Sequence, residues 1–82
     1  MTARHKALVK LLRGERVARQ LLQGEIARRL GEQQSYVSRL ESGQRRIDVV
    51  EFIRIAHAIG CNPVTLFRKV VRTPENDAPG RR

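Results

Sequence analysis

The chain is 82 residues long, 40 % hydrophobic, with one cysteine and a formal charge of +9. A chain this short makes one small domain that buries about two-thirds of its surface, and a lone Cys61 excludes a disulfide framework. The charge implies a polyanionic partner, nucleic acid first, while three scattered aromatics, Tyr36, Phe52 and Phe67, are too few for a base-stacking platform for single strands or RNA.

The positive charge is unevenly placed. Residues 1–46 carry 11 basic and 4 acidic side chains, and residues 47–82 carry 6 and 4. No run of about 20 apolar residues and no signal-like apolar segment follows the basic start. The expectation is a soluble protein of a reducing cytoplasm, associated with the nucleoid and not with a membrane.

Taken in chain order, the first predicted helix spans about Ala3 to Arg19. Leu8, Val9, Leu11 and Leu12 form its apolar stripe, with Lys6, Lys10, Arg13 and Arg16 around it. Gly14 is an internal cost of up to about 1 kcal/mol. Glu15 and Arg19 stand four apart and can pair. Leu21 is expected to enter the core across the following turn. The second helix, about Gln23 to Leu30, turns Ile26, Ala27 and Leu30 inward, with Glu25 and Arg29 as another four-apart pair, and ends at Gly31. The third, about Gln34 to Glu41, has one narrow inward stripe, Val37 and Leu40, and closes at Gly43.

The fourth helix has the clearest start. Asp48-Val49-Val50-Glu51 places an acid at the N-cap and a glutamate three residues on, the capping-box spacing. Val49, Phe52, Ile55, Ala56 and Ile59 then recur at helical spacing, and Gly60 stops it. Asn62-Pro63 opens a fifth helix, cap then proline, carrying Leu66, Phe67 and Val70 to about Val71. The remainder has two prolines, a glycine and no apolar periodicity, so residues 73–82 are expected to be a disordered tail behind a 1–72 domain. No strand pattern occurs. The fold class is all-α, five helices in one compact domain.

The second and third helices form a helix-turn-helix pattern. Two short helices crossing steeply need a small residue at the crossing, and Ala27 supplies it. Gly31, four positions on, permits the tight reversal. Val37, six further on, is the β-branched packing residue, with Ile26, Leu30 and Leu40 completing the contact. The outward face is left to Gln33, Gln34, Ser35, Ser38 and Arg39, polar side chains of the kind that reach base edges.

These residues carry a resemblance. Leu12-Arg13 with Arg16, Leu21-Leu22-Gln23-Gly24-Glu25-Ile26-Ala27, Ser35-Tyr36-Val37-Ser38-Arg39-Leu40-Glu41-Ser42-Gly43-Gln44-Arg45 and Ile55-Ala56-His57-Ala58-Ile59-Gly60 together resemble the Cro and phage-repressor family, also called the xenobiotic-response-element family. The likeness spans about residues 8–67 and implies a lambda-repressor-like DNA-binding domain. It implies base contacts for Gln33, Gln34, Ser35, Ser38 and Arg39, since glutamine suits adenine and arginine suits guanine in the major groove. It implies phosphate contacts for Gln23, Tyr36, Gln44, Arg45 and Arg46; for Tyr36 the other reading is partial packing on the surface. Arg16 and Glu41 match a structural ion pair linking the first helix to the end of the recognition helix, against a rival reading of Arg16 as a phosphate ligand.

Four residues depart from the family's pattern. Leu22 stands at an N-cap usually held by serine or threonine. Gln20 replaces a common glycine, Glu32 an apolar residue, and Ile47 a common proline.

Other chemistry is not supported. His57 and Cys61 stand four apart, but two ligands across a helix end at Gly60 do not make a zinc site, and Cys61 reads as a small apolar residue. No phosphate-cradling glycine loop and no nucleophile-with-base arrangement occurs. The expectation is no enzyme, no cofactor and no metal. The stripe Leu66, Phe67, Val70 and Val71 is divided between covering the core and forming a dimer face. The resulting reading is a sequence-specific regulator that binds double-stranded DNA at a palindromic operator as a homodimer. The alternative is a DNA-binding antitoxin whose fifth helix and tail hold a protein toxin; a nonspecific nucleoid binder is disfavoured by the glutamines of the recognition face.

Overall fold

The computed structural model describes residues 2–74. Five helices follow one another: α1 (Ala3–Ala18), α2 (Gln23–Leu30), α3 (Gln34–Glu41), α4 (Val49–Ile59) and α5 (Pro63–Val71). No strand occurs among the described residues. The predicted α1 overran the observed helix by one residue, and the other helices begin and end at the expected positions. Residues 75–82, most of the expected tail, lie outside the described residues. Thr73, placed at the start of that tail, is docked: its carbonyl accepts from Arg4 Nε at 3.2 Å.

The helix ends are written in side-chain chemistry. Thr2 Oγ1 accepts from the His5 amide at 3.1 Å at the start of α1. Asp48 and Glu51 form the full reciprocal box at α4, with bonds of 2.7 and 3.0 Å. Asn62 Oδ1 accepts from Val64 N at 2.8 Å ahead of Pro63. At Leu22, which has no oxygen to offer, only half a box forms: the Leu22 amide donates to Glu25 Oε1 at 2.8 Å.

α2 closes on Gly31 at φ 72°, with the Glu32 amide reaching back to the Ala27 carbonyl at 2.9 Å. α1 closes the same way, the Leu21 amide bonding the Arg16 carbonyl at 3.1 Å, but Gln20 holds the left-handed position at φ 58°. A side chain with a Cβ is strained there. Gln20→Gly is therefore expected to stabilise the domain by about 1 kcal/mol, read as a melting temperature raised by about 4–8 °C; an unchanged or lower value would contradict this account of the turn.

The core joins all five helices. Leu12 of α1, Ile26, Ala27 and Leu30 of α2, Val37 and Leu40 of α3, Phe52, Ile55, Ala56 and Ile59 of α4, and Leu66 of α5 form one buried cluster. Ala56 has no exposed surface, which lets α4 lie close against its neighbours. Val49, expected in the α4 stripe, is 68 % exposed. The reason is Ile47, which packs against the core from the loop just before α4, so that Phe52 is the first inward residue of the helix.

The expected Glu25–Arg29 pair does not form. Glu25 accepts from Leu22 N, and Arg29 Nη1 donates to the Ala58 carbonyl at 2.6 Å. Arg54 Nη2 donates likewise to the Leu30 carbonyl at 2.9 Å. Carbonyls in the last turn of a helix lack intrahelical partners and carry partial negative charge, so a guanidinium does more there than in an exposed surface pair. Part of the basic excess thus serves the fold. The four-apart pair of Arg19 with Glu15 does form.

Candidate nucleic-acid interface

α2 and α3 meet through side chains that leave almost nothing to water. Ile26 and Ala27 are 1 % and 2 % exposed, and Val37 and Leu40 are 3 % and 4 %. Two buried positions in eight residues leave most of α3 outside. Gln33, Gln34, Ser35, Ser38 and Arg39 are all exposed on this helix and its N-cap.

A polar chain fixes that helix from behind. Arg16 reaches from α1 to the last residue of α3, with Nε on Glu41 Oε2 at 2.6 Å and Nη2 on Oε1 at 2.8 Å. Both side chains are nearly enclosed, 11 % and 10 % exposed. A bidentate fork of this kind sets direction as well as distance. The same guanidinium donates to the Leu21 carbonyl at 2.7 Å, tying the turn before α2 into the network. Glu41 holds Arg16 firmly charged, its hydrogen bond outweighing the effect of burial. Gln23 Nε2 then donates to Glu41 Oε1 at 3.0 Å, and Gln34 Nε2 to Gln23 Oε1 at 3.4 Å. Arg16, Glu41, Gln23 and Gln34 therefore run in sequence from the core to the exposed face.

The Gln23 and Gly24 amides that open α2 have no intrahelical partners, and Leu22 gives them no side-chain cap; the Glu25 amide is already taken by the Leu22 carbonyl at 3.0 Å. Gln23, Gly24, Arg28 and Gln34 line one surface hollow at this helix start. Arg28 is a lining residue that the sequence pattern does not single out. Its signal is its place one turn after Gly24, on the face that opens at the uncapped end. A second hollow brings Thr2 and His5 at the start of α1 beside Gln44, Arg45 and Arg46. No local sequence pattern foretells that meeting, because it depends on how α1 crosses the end of α3.

Tyr36 and Arg45, expected at phosphates, are engaged elsewhere. The Tyr36 hydroxyl donates to Glu51 Oε2 at 2.9 Å. Arg45 Nη1 stands 2.9 Å from the same oxygen, in a close ion pair outside hydrogen-bond alignment. Its guanidinium carbon lies 5.0 Å from the Tyr36 ring centroid. Burial and the adjacent carboxylate raise the Tyr36 pKa above its ordinary value, so the phenol is a donor at neutral pH. The Asp48 amide, with Arg45 and Tyr36 adding to it, lowers the Glu51 pKa below the usual carboxylate range.

Of the stripe expected at a dimer face, Leu66 is a core residue, 2 % exposed, and is withdrawn from that role. Phe67 and Val71 are 54 % and 52 % exposed, and Val70 is half-buried. Cys61, half-buried at the core edge, places its thiol 3.5 Å from the Ala56 carbonyl.

The model of the helix-turn-helix family matches residues 12–66, from the last apolar turn of α1 to the buried Leu66 of α5. The chain belongs to the Cro/C1-type helix-turn-helix family. This is a family of DNA-binding transcriptional regulators, not a class of enzyme. Among solved structures, an XRE-family like protein from Pseudomonas syringae pv. tomato str. DC3000 is 44 % identical, with 88 % of this chain and 89 % of that chain covered and a TM-score of 0.82. The clp gene regulator ClgR from C. glutamicum shares the fold at 22 % identity, covering 83 % of this chain and 88 % of that one with a TM-score of 0.75. No curated protein sequence matches. Among the described residues no helix of this Cro/C1-type chain is long and apolar enough to cross a membrane.

Proposed function

We propose that this Cro/C1-type regulator reads an inverted-repeat operator in duplex DNA as a homodimer, with α3 in the major groove. The observation that carries the reading is the exposed polar face of α3, aligned from behind by the Arg16–Glu41–Gln23–Gln34 chain. Gln33, Gln34, Ser35, Ser38 and Arg39 meet base edges, with Arg39 suited to guanine and the glutamines to adenine. Arg28, the Gln23 side chain and the backbone amides of Gln23 and Gly24 take a phosphate, as helix starts do. Gln44 and Arg46 take a second one at the exit of α3. Tyr36 and Arg45 turn instead to Glu51.

One reading head covers about half a turn of DNA, and a two-fold dimer doubles it. The dimer face proposed here is the outer side of α5, Phe67 and Val71 with Val64, which is 56 % exposed. Val64, Phe67 and Val71 recur at helical spacing and form one apolar stripe. Val49 and Ile53 on α4 are further exposed apolar residues.

Base and phosphate contacts fail differently, which gives the test. Arg39→Ala is expected to cost about 1–3 kcal/mol against the preferred site and flatten preference at one base pair. Arg46→Ala is expected to weaken all duplexes alike and to reduce the slope of log affinity against log salt by about 0.9. Both are read by titrating labelled operator and unrelated duplex at several salt concentrations. Equal effects of the two substitutions on both duplexes would contradict the assignment.

A further inference from the structure

The base-reading face and the core do not use Glu51. Its place on the first turn of α4 is explained in part by capping: Oε1 accepts from Asp48 N at 3.0 Å. Its second oxygen is spent differently. Oε2 receives both the Tyr36 hydroxyl of α3 and Nη1 of Arg45, each at 2.9 Å. Tyr36 stands on the recognition helix, and Arg45 lies in the loop that leaves it, between Gln44 and Arg46. The three side chains close on themselves, since the Arg45 guanidinium also sits over the Tyr36 ring. Nη1 of Arg45 is sealed from water, and the side chain as a whole is 36 % exposed.

An arginine held this way is a poor ligand for a phosphate. Its charge is offset by a carboxylate at contact distance, and reaching the DNA backbone means leaving both that carboxylate and the ring. We propose that Glu51 is a positioning residue that keeps Arg45 as an internal counterion and so limits sequence-independent affinity for DNA. The inference rests on the duplex-DNA reading given above. The work of the Arg45 side chain is then to hold the loop for its neighbours, and Arg46 and Gln44 make the backbone contacts. Glu51 raises specificity by removing one phosphate contact that every sequence would otherwise enjoy.

The experiment measures affinity for a duplex of random sequence across a salt series, with wild type, Glu51→Gln, Arg45→Ala and the double variant. Glutamine keeps one oxygen for Asp48 N while losing the charge; its NH2 then stands where Oε2 was and donates to the Tyr36 hydroxyl oxygen, which reverses that hydrogen bond, and retained helical circular dichroism checks the fold. Glu51→Gln is expected to bind several-fold more tightly at low salt, with the slope of log affinity against log salt steeper by about 0.9, one added phosphate contact. In the Arg45→Ala background the same substitution is expected to leave the slope where Arg45→Ala put it. Equal steepening in both backgrounds would reduce Glu51 to a general negative field and overturn the proposal, as would no change in either. A second arm does not depend on the Glu51 variant folding: Arg45→Ala alone is expected to lower the wild-type slope by well under 0.9, and a loss as large as that of Arg46→Ala overturns the proposal. Absence of salt-dependent binding by the wild type would instead refute the DNA reading itself.

Discussion

Glu41→Ala is expected to cost about 3 kcal/mol of stability, and to weaken DNA binding even under conditions where the variant is fully folded. The size follows from burial. Removing one partner of an enclosed, bidentate pair strands the other, here Arg16 with a side chain 11 % exposed, and such losses run to about 3–5 kcal/mol. A domain of this length has roughly 4–12 kcal/mol in all, so the melting temperature should fall by more than 10 °C. The binding defect has its own cause. Glu41 Oε1 also accepts from Gln23, which holds Gln34; without it the two glutamines lose the register that points them outward. Thermal melting gives the first quantity and operator titration well below the melting point gives the second. The double variant Arg16→Met/Glu41→Leu separates them: stability is expected to return, because an apolar pair replaces a desolvated ionic one, while affinity stays low. Unchanged melting and binding in Glu41→Ala would remove the pair from both roles.

Ile26→Ala is the contrasting case. Ile26 is 1 % exposed and belongs to the cluster shared by all five helices. Truncating it leaves a cavity where α2 and α3 cross, at a cost of about 2–5 kcal/mol, while Ile26→Val loses one methylene and about 1 kcal/mol. None of Gln33, Gln34, Ser35, Ser38 and Arg39 belongs to this cluster or packs against it. The variant should therefore bind with wild-type sequence preference at low temperature, and lose binding only as it melts. Chemical or thermal unfolding combined with a specificity titration checks this. A changed base preference in folded Ile26→Ala would mean that the crossing angle, and not only the polar chain, sets the reading.

The two variants also show how far the sequence could be read. Helix ends were legible because their signals are local: Asp48 with Glu51, Asn62 with Pro63, and the left-handed glycines Gly31 and Gly60 each act within a few residues. The crossing at Ala27, Val37 and Leu40 was legible because spacing alone dictates which faces meet. Polar partnerships across the fold were not. Arg29 and Arg54 went to helix carbonyls 29 and 24 residues away, where unpaired backbone oxygens outbid a solvated glutamate. Tyr36 and Arg45 were drawn to Glu51, a residue whose capping pattern already accounted for it. Val49 looked like core by periodicity, but Ile47 from the loop took its place. Arg16 and Glu41, 25 residues apart, are legible as a pair through family resemblance alone, since no periodicity links the last turn of one helix to the last residue of another.

The proposed function is sequence-specific reading of duplex DNA by a two-fold dimer. Its most direct test is selection of bound sequences by the wild-type chain from a pool of randomised duplexes near physiological salt, where nonspecific phosphate binding is weak. The expected result is an enriched inverted repeat whose half-sites stand about one helical turn or more apart, with a guanine or adenine preference that is lost in Arg39→Ala or Gln34→Ala. A pool that stays random, with binding that disappears as salt rises, would contradict it.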